Sequence, residues 1–199
     1  MRTAIPFLCV TMLSTLAFGQ RPFSVGIKGG VPWTDAFSDT TTHGVDTITH
    51  AFSDSKKFVI GPMVELNLPL GVSIEADALY RPLNLTTMNT VLPRPPLTFV
   101  NDISSWEFPI LGKYHFLHLP LVKPYAEAGP IFRHVGSDAS YLSKKGFALG
   151  AGVDFKLLLL KLTPEIRYSR WGSDATASPV FNIVPSKQNQ AEFLIGLSF

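Results

Sequence analysis

Apolar and polar side chains alternate with a period of two through eight stretches of this chain, the signature of strands with one greasy and one polar face. The first places Phe23, Val25, Ile27, Gly29, Val31 and Trp33 on one side and Ser24, Gly26, Lys28 and Gly30 on the other. The same alternation predicts strands over 58–68, 72–81, 106–116, 123–133, 147–156, 162–169 and 190–199. The prolines at 124 and 130 weaken the fifth of these, because proline cannot donate to a sheet ladder.

Between the strands the pattern lapses in segments of two kinds. Long polar stretches cover 33–57, 82–104, 134–145 and 172–189 and read as loops, the second holding the rigid Pro93-Arg94-Pro95-Pro96. Short connections cover 69–71, 117–122 and 157–160. Long and short connections alternate strictly, as in an up-and-down antiparallel barrel with loops at one rim and turns at the other. Both termini then lie on the turn side.

The apolar face carries aromatic residues at both ends of its strands. Trp33, Phe58, Tyr80, Trp106, Phe132, Phe147 and Tyr168 fall toward the loop rim, and Phe23, Tyr114, Phe116, Phe155 and Phe199 toward the turn rim. Two such girdles around a band of Val, Ile, Leu and Ala suit a lipid-facing surface. The opposite face collects the charges: Lys28, Glu65, Glu75, Asp77, Arg81, Glu107, Lys113, Glu127, Arg133, Asp154, Lys156, Glu165, Arg167 and Glu192. A soluble barrel would turn its apolar face inward, so the predicted fold is all-β, an eight-stranded antiparallel up-and-down transmembrane β-barrel.

The start of the chain fits that setting. Met1-Arg2 is a short positive segment, residues 4–18 are mainly apolar, and Ala17-Phe18-Gly19 has the form of a signal-peptidase site. We expect residues 1–19 to be a signal peptide, cut between Gly19 and Gln20, and residues 20–199 to be the outer-membrane barrel domain. The only cysteine, Cys9, lies within the leader, so the mature chain offers no thiol chemistry and no Cys-based zinc site. Removing Arg2 with the leader leaves 16 basic against 15 acidic side chains, which argues against a nucleic-acid partner.

Taken in order, Val25-Gly26-Ile27-Lys28-Gly29-Gly30, Lys123-Pro124-Tyr125-Ala126-Glu127-Ala128-Gly129-Pro130 and the closing Phe199 resemble the small outer-membrane β-barrels, the relatives of the OmpA and OmpX transmembrane domains and of the PorT-like barrels. The resemblance covers the whole mature chain and implies residence in the bacterial outer membrane. It also implies that the alternating closing strand, with Phe193, Ile195, Leu197 and Phe199 on one face, is an assembly signal read by the barrel-insertion machinery. We expect no peptidoglycan-binding segment after Phe199, a departure from OmpA. The family shares no catalytic residues that could be carried over.

Candidate chemistry is sparse. His134-Val135-Gly136-Ser137-Asp138 offers a base, a hydroxyl and a carboxylate, but closeness in sequence does not make a triad. His43 and His50 share the first loop with Asp35, Asp39, Asp46 and Asp54, which a solvated acidic loop accounts for as well as a metal site does. His115 and His118 flank the second turn with no nearby carboxylate in sequence and read as interfacial polar groups. We therefore expect no catalytic residue, no metal and no cofactor. Eight acids and six bases on the inner face favour internal salt bridges over a charge-selective ring, and eight strands enclose a lumen that side chains fill. The expected role is that of a monomeric, sealed barrel with four external loops and a structural or surface-interaction function, contacting outer-membrane lipids and an external ligand of unknown nature. A narrow porin-like passive channel is the alternative, and a lipid-modifying outer-membrane enzyme the third reading.

Overall fold

The computed structural model describes residues 22–36, 40–43, 47–54, 57–91, 95–117, 119–136, 142–157, 159–172 and 187–199. The expected leader, with Gly19 and Gln20, lies outside them. Eleven strands form one antiparallel sheet: β1 (Phe23–Pro32), β2 (Thr40–His43), β3 (Thr47–Asp54), β4 (Val59–Asn67), β5 (Val72–Asp77), β6 (Leu79–Val91), β7 (Leu97–His115), β8 (Val122–Val135), β9 (Lys145–Leu157), β10 (Leu160–Trp171) and β11 (Asn189–Ser198). The sheet closes because β1 pairs with β11 on one side and β4 on the other, Gly26 opposing Ser198 and also Met63. Strands β5 and β6 are one barrel strand interrupted at Ala78. Their register is continuous against β4, where Met63 faces Asp77 and Ile60 faces Tyr80, and against β7, where Ala76 faces Ile110 and Leu79 faces Glu107. The result is a closed barrel of eight antiparallel strands, in which every backbone ladder finds a neighbour and no edge is left open.

The alternation read from the sequence sets which side chains face out. Ile27, Ile60, Ile110, Leu149 and Ile166 are exposed on the outer wall, while their neighbours Lys28, Val59, Leu111, Ala148 and Arg167 are fully buried in the lumen. Rings meet across strands near the loop rim: Tyr80 contacts Trp106 edge-on at 5.5 Å and Phe58 at 6.3 Å, and Trp33 stacks on Phe193 at 6.5 Å.

The short connection at 69–71 is a tight turn in which Leu70 and Gly71 both take positive φ, closed by a hydrogen bond from Leu68 N–H to Val72 O. Two of the expected loops contain strand. Within 33–57 lies the β2–β3 hairpin, and within 82–104 lie the distal halves of β6 and β7, paired as far as Asn89 with Leu97. Strand β3 pairs along β6 from Asp54 with Asn84 to Thr47 with Val91, so a four-stranded sheet continues from one sector of the barrel wall. The residues there are rich in Thr, which favours extended backbone without producing a greasy face.

Candidate functional site: the charged lumen

Thirteen of the fourteen charged residues expected on the inner face are buried there, and the fourteenth, Lys156, is exposed at the turn rim. Lys161, which pairs across the ladder with Lys156, enters the lumen in its place. Lys161 falls between the turn expected over 157–160 and the strand expected from Leu162, so the alternation alone does not place it on the inner face.

The network falls into three tiers. At the turn end, Lys161 Nζ lies 2.5 Å from Glu65 and 3.5 Å from Asp154. Asp154 also accepts from Thr163 and faces His115 Nε2 at 3.0 Å. His115 is thus a buried lumen residue with a carboxylate partner, contrary to the interfacial position expected from sequence, because β9, on the far side of β8, brings Asp154 within reach of it. His118 lies outside the described residues.

In the middle tier Glu75 binds both Lys28 and Lys113, and Lys28 also reaches Glu165 at 2.9 Å. Arg167 touches Glu165 at 2.7 Å, Asp77 at 3.1 Å, Glu127 at 3.2 Å and Glu75 at 3.3 Å. Tyr125 donates to Glu165, and its ring lies beneath the Lys113 ammonium at 4.4 Å. Glycine makes room for these side chains: a Cβ on Gly152 would collide with the Tyr125 ring, and one on Gly150 with the Glu127 carboxylate.

At the loop end Arg133 pairs with Glu107 at 2.7 Å and stacks on Trp171 at 3.6 Å. Gln190 Oε1 accepts from Arg81, Arg133 and Trp171 Nε1, each at 3.0 Å, tying four strands together. Arg81 also donates to Thr34 O, and Ala191 N–H donates to Thr34 Oγ1, so the chain after β1 folds over this end. Both oxygens of Glu192 lack a hydrogen bond, and its nearest cation is Arg81 Nη1 at 3.9 Å. Tyr125, Trp171 and Gln190 join the lumen without a formal charge to mark them in the sequence, and Trp171 lies past the expected strand 162–169.

Two carboxylate clusters arise inside this network, Glu65 with His115 and Asp154, and Glu75 with Glu127 and Glu165. Each is already supplied with ammonium or guanidinium partners, which compete with any metal ion for the same oxygens. Of the residues weighed from sequence as a base, a hydroxyl and a carboxylate, His134 is exposed, and Ser137 and Asp138 lie outside the described residues. In the first loop, His50 Nδ1 is 3.0 Å from Thr41 Oγ1, and Asp39 and Asp46 lie outside the described residues. On the closing strand, Ile195, Leu197 and Phe199 are exposed on the outer wall, Phe193 is half-buried under Trp33, and Phe199 exchanges two backbone hydrogen bonds with Val25.

An apolar wall facing outward, aromatic residues near its rims and an interior rich in paired charges define the fold of a membrane-spanning β-barrel of the small outer-membrane type. Solved structures share the fold. Neisserial surface protein A, NspA, superposes with a TM-score of 0.53 at 16% identity, over 89% of this chain and 96% of that one. The outer membrane protein OprG from Pseudomonas aeruginosa superposes with a TM-score of 0.56 at 17% identity, over 90% of this chain and 96% of that one. No protein-family profile matches the sequence, and no curated protein matches it.

Proposed function

We propose that this protein is a sealed, non-enzymatic barrel of the bacterial outer membrane that works through its loop-end surface. The observation that carries this reading is the occupation of the lumen: charged side chains from opposite walls reach hydrogen-bonding distance of one another in the middle tier. A pore would need that space for hydrated ions. The sheet formed by β2, β3 and the distal parts of β6 and β7 gives the loop end a backbone framework suited to an external partner. Outer-membrane lipids surround the wall, a single copy closes its own ladder, and β11 ending in Phe199 is the segment offered to the insertion machinery.

A second reading, a narrow passive channel, draws on the loop-end tier. There the two Glu192 oxygens, Arg81 Nε and Arg133 Nη1 are buried without a hydrogen bond from the protein, and water is the natural partner for such groups. Planar-bilayer recording on the refolded protein decides between them. The sealed barrel gives no reproducible steps, whereas steady unitary conductance would establish the channel.

A further inference from the structure

Outside the lumen, strands β9 and β10 shape a groove of about 610 Å³ on the outer wall at the loop rim. Its floor is apolar: Phe147 and Leu149 from β9 and Tyr168 from β10, all exposed. Above the floor stand two exposed cations, Lys145 and Arg170. The ladder puts them there, since Arg170 opposes Phe147 and Tyr168 opposes Leu149, while Lys145 is two residues beyond Phe147 on the same face. Two strand residues span about 7 Å, so Lys145 stands about that far beyond Phe147 toward the loop rim and Arg170, level with Phe147, about that far beyond Tyr168, at the height where aromatic rings give way to headgroups. Neither cation forms an ion pair among the described residues. The outward positions of both strands toward the turn end are Ala151, Val153, Phe155, Ile166, Pro164 and Leu162, with no acid among them.

We propose that this groove holds a phosphate-bearing lipid, with its phosphate between Lys145 and Arg170 and an acyl chain along Phe147, Leu149 and Tyr168. Charge complementarity selects the occupant. A neutral lipid would gain the apolar contact alone, and a soluble anion would gain the cations alone, whereas a phosphorylated lipid satisfies both halves at the depth where they stand. The site rests on the reading that this rim meets a lipid leaflet.

The test uses the full mature barrel refolded in detergent, titrated with diphosphorylated lipid A and followed by native mass spectrometry. One retained lipid per barrel is expected. The double variant Lys145→Ser/Arg170→Ser should bind about thirtyfold more weakly, and Lys145→Arg/Arg170→Lys should bind as the parent does. Lys156→Ser, at the opposite rim, should leave binding unchanged. Equal binding of fully dephosphorylated lipid A, unchanged affinity in the double serine variant, or displacement by millimolar inorganic phosphate would each overturn the proposal. Because binding in micelles does not depend on which rim faces outward, protease accessibility on intact cells tests the orientation separately. Cleavage confined to the short turns would refute the orientation and leave the lipid site standing.

Discussion

Arg167 on β10 and Asp77 on β5 meet at 3.1 Å although their strands stand four places apart in either direction around an eight-strand ring. The bridge therefore spans the full width of the barrel. Arg167 binds three further carboxylates, those of Glu75, Glu127 and Glu165, so removing it leaves buried negative charge without its main counterpart. Arg167→Met should cost about 3 to 5 kcal/mol, the usual penalty for breaking a buried ion pair from one side. Adding Asp77→Leu should recover part of that loss, because the second substitution deletes one of the orphaned carboxylates. Urea unfolding of the parent, both single variants and the double variant in lipid vesicles measures the coupling; strictly additive losses would mean that the two residues do not interact.

Among the described residues the lumen holds eight carboxylates against six Lys and Arg side chains, so the acids cannot all be equally well paired. Glu75 has three cationic partners, whereas Glu192 has one at 3.9 Å and no hydrogen bond to either oxygen. Glu75→Gln should therefore destabilise by about 3 kcal/mol or more. Glu192→Gln removes a charge that nothing close compensates, and should leave stability unchanged or raise it by about 1 kcal/mol. The same unfolding series reads both. Comparable losses for the two variants would show that position in the network does not matter.

The strand count, the side each residue faces and the order of connections were legible because lipid on one side and a polar lumen on the other impose a strict two-residue period. That signal disappears once a strand leaves the membrane. Beyond Leu83, β6 reads Asn-Leu-Thr-Thr-Met-Asn-Thr-Val, whose mixture of Thr, Asn and scattered apolar residues resembles a loop, yet it pairs with β3 for its whole length and with β7 as far as Asn89. The lumen was legible as a list of charged side chains and illegible as a network. Pairing around a closed ring joins residues such as Lys161 and Glu65, 96 positions apart, and no local pattern records that distance. The exchange of Lys156 for Lys161 has the same origin: both face inward at the rim, and only the packing of Glu65 and Asp154 decides which one enters.

Gly152 lies under the Tyr125 ring, and a side chain there meets the phenol and the Pro164 carbonyl at once. Gly152→Val should cost about 1 to 3 kcal/mol by overpacking and should also break the hydrogen bond from Tyr125 to Glu165, which is 3.0 Å long. Pairing it with Tyr125→Ala should relieve most of the steric part. If the valine variant is no less stable than the parent, the close packing across β9 does not exist in the folded barrel.

The outer wall provides the test that separates a membrane barrel from a soluble one with an unusually greasy surface. Ile166 is 51% exposed and sits in the middle of β10, while Tyr168 is one outward position nearer the loop rim. In a bilayer, Ile166→Arg should cost about 2 to 4 kcal/mol, and Tyr168→Arg should lose less of the charge penalty, because the cost of a cation falls toward the interface. Ile166→Leu keeps the surface apolar and should be nearly neutral. On a soluble barrel the order would invert, since arginine on an exposed apolar face improves hydration and the leucine variant would gain nothing. Refolding free energies of the three variants in vesicles, together with their yields in detergent-free buffer, distinguish the cases. An Ile166→Arg protein that folds as well as its parent in vesicles and stays dispersed without detergent would remove the physical basis for placing this wall in lipid.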